Sequence, residues 1–425
     1  MRILLFPLLL LAAPAAAQEQ PDPARLKASV ERLVGFGTRH TLSSPDHPTR
    51  GIGAARRWFG AELSRLGDAC DCIEVANIAN TFTNARAPNG VEVVDVLGFQ
   101  RGTDPKRVVI VMGHIDSRVT DVMNVTADAP GANDDASGVA LVLEAARILS
   151  KEKFAATIVY AALSGEEQGL FGGQLLAGTA KEKGWTVSAV LNNDIVGNTV
   201  GQSGERVADR VRVFSEGIRE SEAIEAQLAR RADGGEDDGP SRALAKAIDG
   251  VAGTLPGGLD AFLVRRPDRF GRGGDHSPFL KLGYPAVRFT VGVENYDQQH
   301  QDLRTEGGRT FGDTVDKMDF AYLAKVTAIN VATIRRLARA PAAPASVTIA
   351  GALATDTTVK WSAVPGAAGY RVHWRRADAQ DWTDHLDVQG TEAVLKGVIV
   401  DDHFVGVSAL AVDGSESLVT FGGRR

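Results

Sequence analysis

The chain has 425 residues, 44% of them hydrophobic and 24% charged, which fits two or three soluble globular domains rather than one. A net charge of −6 with no basic tract excludes nucleic acid and anionic lipid as partners. Two cysteines exclude a disulfide scaffold, so stability has to come from a hydrophobic core.

The first residues have the layout of a signal peptide over 1–17. Arg2 supplies the basic end, Ile3–Ala13 is apolar apart from Pro7, and Ala15-Ala16-Ala17 is a small-residue cleavage site. A mature chain starting at Gln18 carries −7. The apolar run is too short to span a bilayer and no later segment is apolar enough, so the expected location is periplasmic or extracellular.

Helical spacing covers 22–66, with Leu26, Val30 and Leu33 on one stripe and Trp58, Phe59, Leu63 and Leu66 on another. Cys70 and Cys72 then leave a free pair and a tight disulfide both open, the disulfide being favoured by an oxidising compartment. VEVVDVLGF (91–99) and RVVIVMG (107–113) read as strands. Val139–Leu149 reads as an amphipathic helix, and ATIVYAAL (156–163), Val187–Ile195 and Ala286–Val291 read as further strands. Residues 200–275 read as helix, loop, helix, loop. Their stretches ADGGEDDGPS (232–241) and Arg265–Arg272 are expected to shape a pocket. Phe320–Leu337 closes the domain as a helix. The alternation predicts an α/β domain over 18–338, an α/β/α sandwich around a mixed, mostly parallel sheet whose ligands bind at the carboxyl ends of the strands. A Pro/Ala linker follows over 339–346. Residues 347–425 hold three of the five tryptophans, in short alternating runs between turns, the pattern of a small all-β sandwich.

Five short stretches carry metal-ligand chemistry. VMGHIDS places His114 and Asp116 at positions i and i+2 at the end of a strand, on one face. A metal-bound imidazole commonly passes its other N–H to such a carboxylate. PGANDDASG holds Asp134 and Asp135 among small residues, which alone also describes a surface turn. Glu166 and Glu167 follow a buried strand in LSGEEQG, though paired glutamates are usually a solvated face. Asp194 in LNNDIVGN doubles as a helix cap, and His300 in ENYDQQHQD as a solvated loop residue. Together they form one inventory: His114, Asp134, Glu167, Asp194 and His300 as ligands, with Glu166 spare. Two Zn2+ ions carry four positive charges, which three carboxylates and one hydroxide balance beside two neutral imidazoles. Asp134, in the tightest loop, is the candidate to bridge two ions.

In that order, GHIDS, PGANDDASG, SGEEQG and NNDIVG resemble the motifs of the co-catalytic zinc aminopeptidase family, metallopeptidase family twenty-eight, over roughly residues 25–338. The resemblance implies that His114 binds one zinc, Asp134 bridges both, Glu167 and Asp194 each complete one shell, and His300 closes the second. It implies Glu166 as general base, Asp116 as the carboxylate behind His114, and a non-proline cis peptide between Asp134 and Asp135. The expected reaction is removal of N-terminal residues from peptides. Carboxypeptidase-like or glutaminyl-cyclase-like chemistry, or a non-catalytic metal-binding homologue, are the alternatives. The residue before the last histidine, often tyrosine in relatives, is Gln299 here, with Tyr296 nearby, which leaves the oxyanion donor open. His276, in GGDHSPF, is expected to shape the pocket rather than bind metal. The C-terminal region resembles a fibronectin type III domain through Trp361, Tyr370 and Trp374. It is expected to contact the cell surface or pack on the catalytic domain.

Overall fold

Asp22 caps the first helix by accepting a hydrogen bond from Ala24 N at 2.8 Å, and Pro23 supplies a preset first helical turn. These observations come from a computed structural model describing residues 19–424, so the expected signal peptide and the start at Gln18 lie outside the described residues. Helix α1 is Pro23–Val34 and α2 is Gly51–Asp68, so the 22–66 segment is two helices separated by a loop. Cys70 and Cys72 are disulfide-bonded just after α2.

Strands β1 (Ile73–Asn84), β2 (Ala87–Gln100) and β3 (Asp104–His114) lead to helix α3 (Ala136–Leu149). Then come β4 (Ala156–Leu163), α4 (Glu166–Gly169), α5 (Phe171–Glu182) and β5 (Thr186–Asn193). The second half adds β6 (Arg210–Phe214), α6 (Ile224–Ala232), α7 (Pro240–Ala252), β7 (Asp260–Val264), α8 (Ser277–Lys281) and β8 (Ala286–Val291). A small hairpin, β9 (Arg304–Glu306) and β10 (Arg309–Phe311), precedes the closing helix α9 (Phe320–Arg339).

Strands β1–β8 form one sheet in the order β1-β2-β4-β3-β5-β8-β6-β7. Its centre, β4-β3-β5-β8, is parallel, and antiparallel pairs flank it. Every residue of β4 is buried, as expected for a strand covered on both faces. Side chains alternate accordingly. Val109 and Val111 join the core with α1, α2, α3 and α9, whereas Val108, Ile110 and Met112 pack on the opposite face with Leu176 of α5 and Phe279 of α8.

Three strands of this sheet, β1, β6 and β7, were not expected from the sequence, nor was the β9–β10 hairpin. β1 is an edge strand that mixes apolar with polar residues and is largely exposed, and β6 interleaves valine with arginine, so neither presents a continuous apolar run. Residues 200–275 are therefore strand, helix, helix, strand rather than helices and loops alone.

Beyond α9, two antiparallel sheets of three and four strands enclose a core containing Trp361, Tyr370, Val372, Val405 and Val407. This region is docked on the first. Leu418 packs into the large core, and the buried Arg375 guanidinium pairs with Asp238. Asp233 pairs with Arg424, and Gly234 and Gly235 lie against Phe404 and Phe421. The stretch 232–241 consequently holds the C-terminal sheets and shapes no catalytic pocket, contrary to expectation, because its carboxylates find arginine partners there. Among the described residues no helix is long and apolar enough to cross a membrane.

Candidate metal centre

The carboxyl ends of three adjacent parallel strands meet at one level. His114 ends β3 opposite Leu163, the last residue of β4, and Met112 pairs with Asn192 near the end of β5. The chain leaving β4 turns through Gly165, at φ +80°, directly into Glu166 and Glu167. The chain leaving β5 delivers Asp194. His300 arrives from the loop after β8, with φ +54°.

The loop before α3 enters this convergence through close backbone contact. Asp135 caps α3 by accepting from Gly138 N at 2.9 Å, and its Oδ2 accepts from His114 N at 3.1 Å. Its Oδ1 also accepts from Ile195 N at 3.3 Å, so one side chain ties together the exits of β3 and β5. The peptide between Asp134 and Asp135 is cis, as the family resemblance implied. A Cβ on Gly138 would lie 2.1 Å from the Asn193 carbonyl oxygen, and one on Gly113 would meet the Gly138 backbone at 2.8 Å. The small residues are thus required by packing.

Two groups that sequence reasoning missed brace this loop. Asp313 accepts from Asn133 N at 2.9 Å and Asp134 N at 2.7 Å, and burial pushes its carboxyl up to about 7. Arg39 is fully buried and donates to the carbonyl oxygens of Ile115, Pro130 and Gly131 at 2.7, 2.6 and 2.9 Å. Burial pulls Arg39 down to about 10, with Asp313 opposing. A lone arginine or aspartate carries no spacing signal, so only the fold reveals either.

The expected ligands converge. His114 Nε2 lies 3.1 Å from Asp134 Oδ1 and 3.9 Å from Asp194 Oδ1. His300 Nε2 lies 3.0 Å from Asp134 Oδ2 and 3.1 Å from Glu167 Oε1. Two metal-type groups result, His114–Asp134–Asp194 and Asp134–Glu167–His300, which share Asp134. Two ligands about 2.0 Å from one tetrahedral ion stand about 3.3 Å apart, close to three of these four separations. Glu167 Oε1 is also buried without a hydrogen-bond partner, as an atom aimed at a cation would be. The donor set, nitrogen and oxygen without sulfur, fits a divalent metal of the zinc type.

Electrostatics match this arrangement. Burial opposes ionisation of Asp134, but His300 and His114 hold its carboxyl well below the ordinary range. Burial also opposes the charge on His300, yet Glu167 and Asp134 raise it to about 10. Burial drives Glu166 well above the ordinary carboxyl range, with Asp194 and Glu167 adding to the shift and His114 opposing it.

Asp116 is fully buried behind this set. Its carbonyl oxygen and Oδ1 lie 3.1 and 3.6 Å from His114 Nδ1. Its carboxylate accepts from Glu166 N at 3.3 Å and Glu167 N at 3.1 Å, and from the Thr41 hydroxyl at 2.8 Å. It therefore orients both His114 and the start of α4. Arg118, also missed, donates to Glu167 Oε2 at 2.8 Å and lies 2.6 Å from His300 Nδ1. Arg288 sits beneath, 2.7 Å from Asp194 Oδ1.

A cavity of about 520 Å³ opens over Asp134, Glu166, Glu167, Asp194 and His300, bordered by the 269–273 segment as expected. Gln299 does not border it, being buried with its amide 3.3 Å from Glu294 Oε2, and neither does Tyr296. His276 is buried against the Pro267 carbonyl oxygen at 2.7 Å, behind the cavity wall and outside both ligand groups. A slightly larger cavity of about 580 Å³ lies between the 341–348 segment and the first region, and neither metal-type group lies in it.

Comparison with known proteins agrees with this geometry. A probable zinc metalloprotease of Leptosphaeria maculans is 43% identical over 410 residues, covering 95% of both chains. The aminopeptidase of Aneurinibacillus sp. strain AM-1 superposes with a TM-score of 0.53 at 15% identity, over 75% of this chain and 95% of that one. The glutaminyl cyclase of Porphyromonas gingivalis gives 0.52 at 18% identity, over 75% and 99%, so both share the fold of the first region. The sequence model of Peptidase family M28 matches residues 95–334, the span that carries every ligand of both groups. With that span exceeding half of the chain and a close relative matching nearly all of it, this protein belongs to Peptidase family M28.

Proposed function

We propose that the protein is an exported zinc exopeptidase that removes N-terminal residues from peptides, with two Zn2+ per chain. The observation that carries the reading is the pair of ligand groups sharing Asp134, beside a carboxyl group that belongs to neither. His114 and Asp194 would hold one ion, Glu167 and His300 the other, and Asp134 both. The name of the Leptosphaeria relative supports zinc as the metal. When bound, the ions supply Lewis-acid chemistry, polarising a carbonyl and acidifying water. Glu166 takes the proton of the attacking water and passes it to the leaving amine. Its raised pKa suits the first of these transfers, because a carboxylate with a higher pKa is the stronger base toward the attacking water. Asp116 acts as a positioning residue through His114 and the amides of Glu166 and Glu167. The Cys70–Cys72 disulfide supports an oxidising compartment, periplasmic or extracellular.

The domain reading assigns 18–338 to the peptidase, 339–346 to a linker, and 347–425 to a fibronectin type III-like accessory. Its support is the two antiparallel sheets and the tilted Trp361–Tyr370 ring pair, with centroids 5.5 Å apart.

The test is Glu166→Gln. The variant is expected to retain both metals by elemental analysis and the unfolding midpoint of the parent, while kcat drops by roughly 10²–10⁴. Turnover at the parent rate removes Glu166 from the mechanism. One metal per chain in the parent removes the two-zinc reading.

A further inference from the structure

The cavity lining carries a charge pattern that hydrolysis does not use. Arg86, Arg118, Arg269 and Arg272 all border it. The carboxylates bordering it are Asp134, Glu166, Glu167 and Asp194, each already engaged in the proposed chemistry. Among the described residues, no further carboxylate faces the cavity to receive a cationic substrate group.

The four arginines are not equivalent. Arg118 is bound to Glu167 at 2.8 Å, and Arg269 lies 3.1 Å from Asp268 and 3.5 Å from Glu294. Arg86 is exposed, and its guanidinium donates to the Glu167 carbonyl oxygen at 2.7 Å, with no carboxylate in range. Arg272 reaches Glu294 at 3.0 Å, but that one carboxylate also serves Arg212 at 2.7 Å and Arg269. The Arg272 side chain remains 33% exposed. Arg86 and Arg272 thus bring to the cavity guanidinium charge that no carboxylate of their own neutralises, and a recess concentrates such a field.

We infer that Arg86 and Arg272 select peptides presenting a carboxylate next to the scissile bond. This rests on the peptidase reading. An acidic side chain and a free C-terminus share that chemistry, and the guanidinium fork suits both.

The experiment uses the zinc-loaded full chain with four matched peptides. One is neutral and C-terminally amidated, one carries Glu at the cleaved position, one has a free C-terminal carboxylate, and one carries Lys. At least one carboxylate peptide is expected to exceed the neutral amide in kcat/KM by about tenfold. The Lys peptide is expected to fall below it, and added salt to shrink the spread. Preference in the Glu arm assigns the side chain as the source, and preference in the free-carboxylate arm assigns the terminus. Arg86→Gln and Arg272→Gln should each reduce the carboxylate-to-neutral ratio at least about threefold, and Arg86→Lys should restore only part of it, since an ammonium keeps the charge but not the fork. In Glu166→Gln, calorimetric titration with the preferred peptide reads binding without turnover, and adding Arg272→Gln should weaken Kd by a similar factor. Equal kcat/KM for all four peptides, or a preference that survives both glutamine variants, overturns the inference and leaves the peptidase reading standing. Hydrolysis of none of the four overturns both.

Discussion

Two glycine-flanked acidic stretches, PGANDDASG and ADGGEDDGPS, look alike and end in opposite roles. In the first, Asp134 faces His114 and His300 at 3.1 and 3.0 Å, and Asp135 accepts only from the backbone and from Ser137. In the second, Asp237 meets Arg242 and Arg265 at 3.2 and 3.3 Å, and Asp238 meets Arg375 and Lys246. Arginine keeps its charge at any ordinary pH, so the second stretch is already neutralised and works as a latch. Imidazole gives up its proton for a metal, so the first stretch stays open to one. The partners, not the acids, separate a candidate metal centre from a structural clasp.

The largest expected effect is at the centre of the first stretch. Asp134→Asn should lose metal by elemental analysis and reduce kcat at least about 10³-fold, since one residue is shared by both ligand groups. Full metal content in that variant would break the contrast. Next, Asp238→Ala should destabilise the fold by about 3–5 kcal/mol in denaturant unfolding, because it strands the buried Arg375, while metal content holds. Metal loss with unchanged stability would reverse the roles argued here.

The glycines sharpen the same comparison. Gly138→Ala forces a Cβ against backbone and should cost about 3 kcal/mol, with weaker metal retention. Gly239→Ala, whose Cβ would meet its nearest atom at 3.6 Å, should shift the unfolding midpoint little by calorimetry.

A further effect concerns pH. Burial raises Glu416, but His373, Ser408 and Arg336 outweigh it and hold the carboxyl at about 2, against an ordinary 4.5. A depressed folded value means stability is present above 4.5 and is lost as pH falls from there through 2. Unfolding free energies measured at pH 6 and pH 2.5 should therefore differ less in Glu416→Gln than in the parent, by on the order of 2 kcal/mol.

The candidate site was legible because His114, Glu167 and Asp194 sit at strand exits and Asp134 and His300 in short polar loop motifs. His114 and the Glu166–Glu167 pair each follow a continuous buried run, and their positions came out where the alternation put them. Helix α3 starts at Ala136, directly after the cis peptide. The strands β6 and β7 were not legible. RVRVF is five residues with arginine at alternate positions, and it becomes a strand because β8 and β7 offer partner edges on either side.

Local sequence determined the α/β alternation, the family and the set of candidate ligands, because strand burial and motif spacing act over a few residues. Tertiary structure decided which acidic stretch meets imidazole and which meets arginine. It also brought in Arg39 and Asp313 as braces, and turned four arginines scattered from residue 86 to 272 toward one cavity. Those pairings join groups up to 191 residues apart, and the physical reason they stay hidden is that a carboxylate's role depends on the charge across from it, which no local pattern encodes.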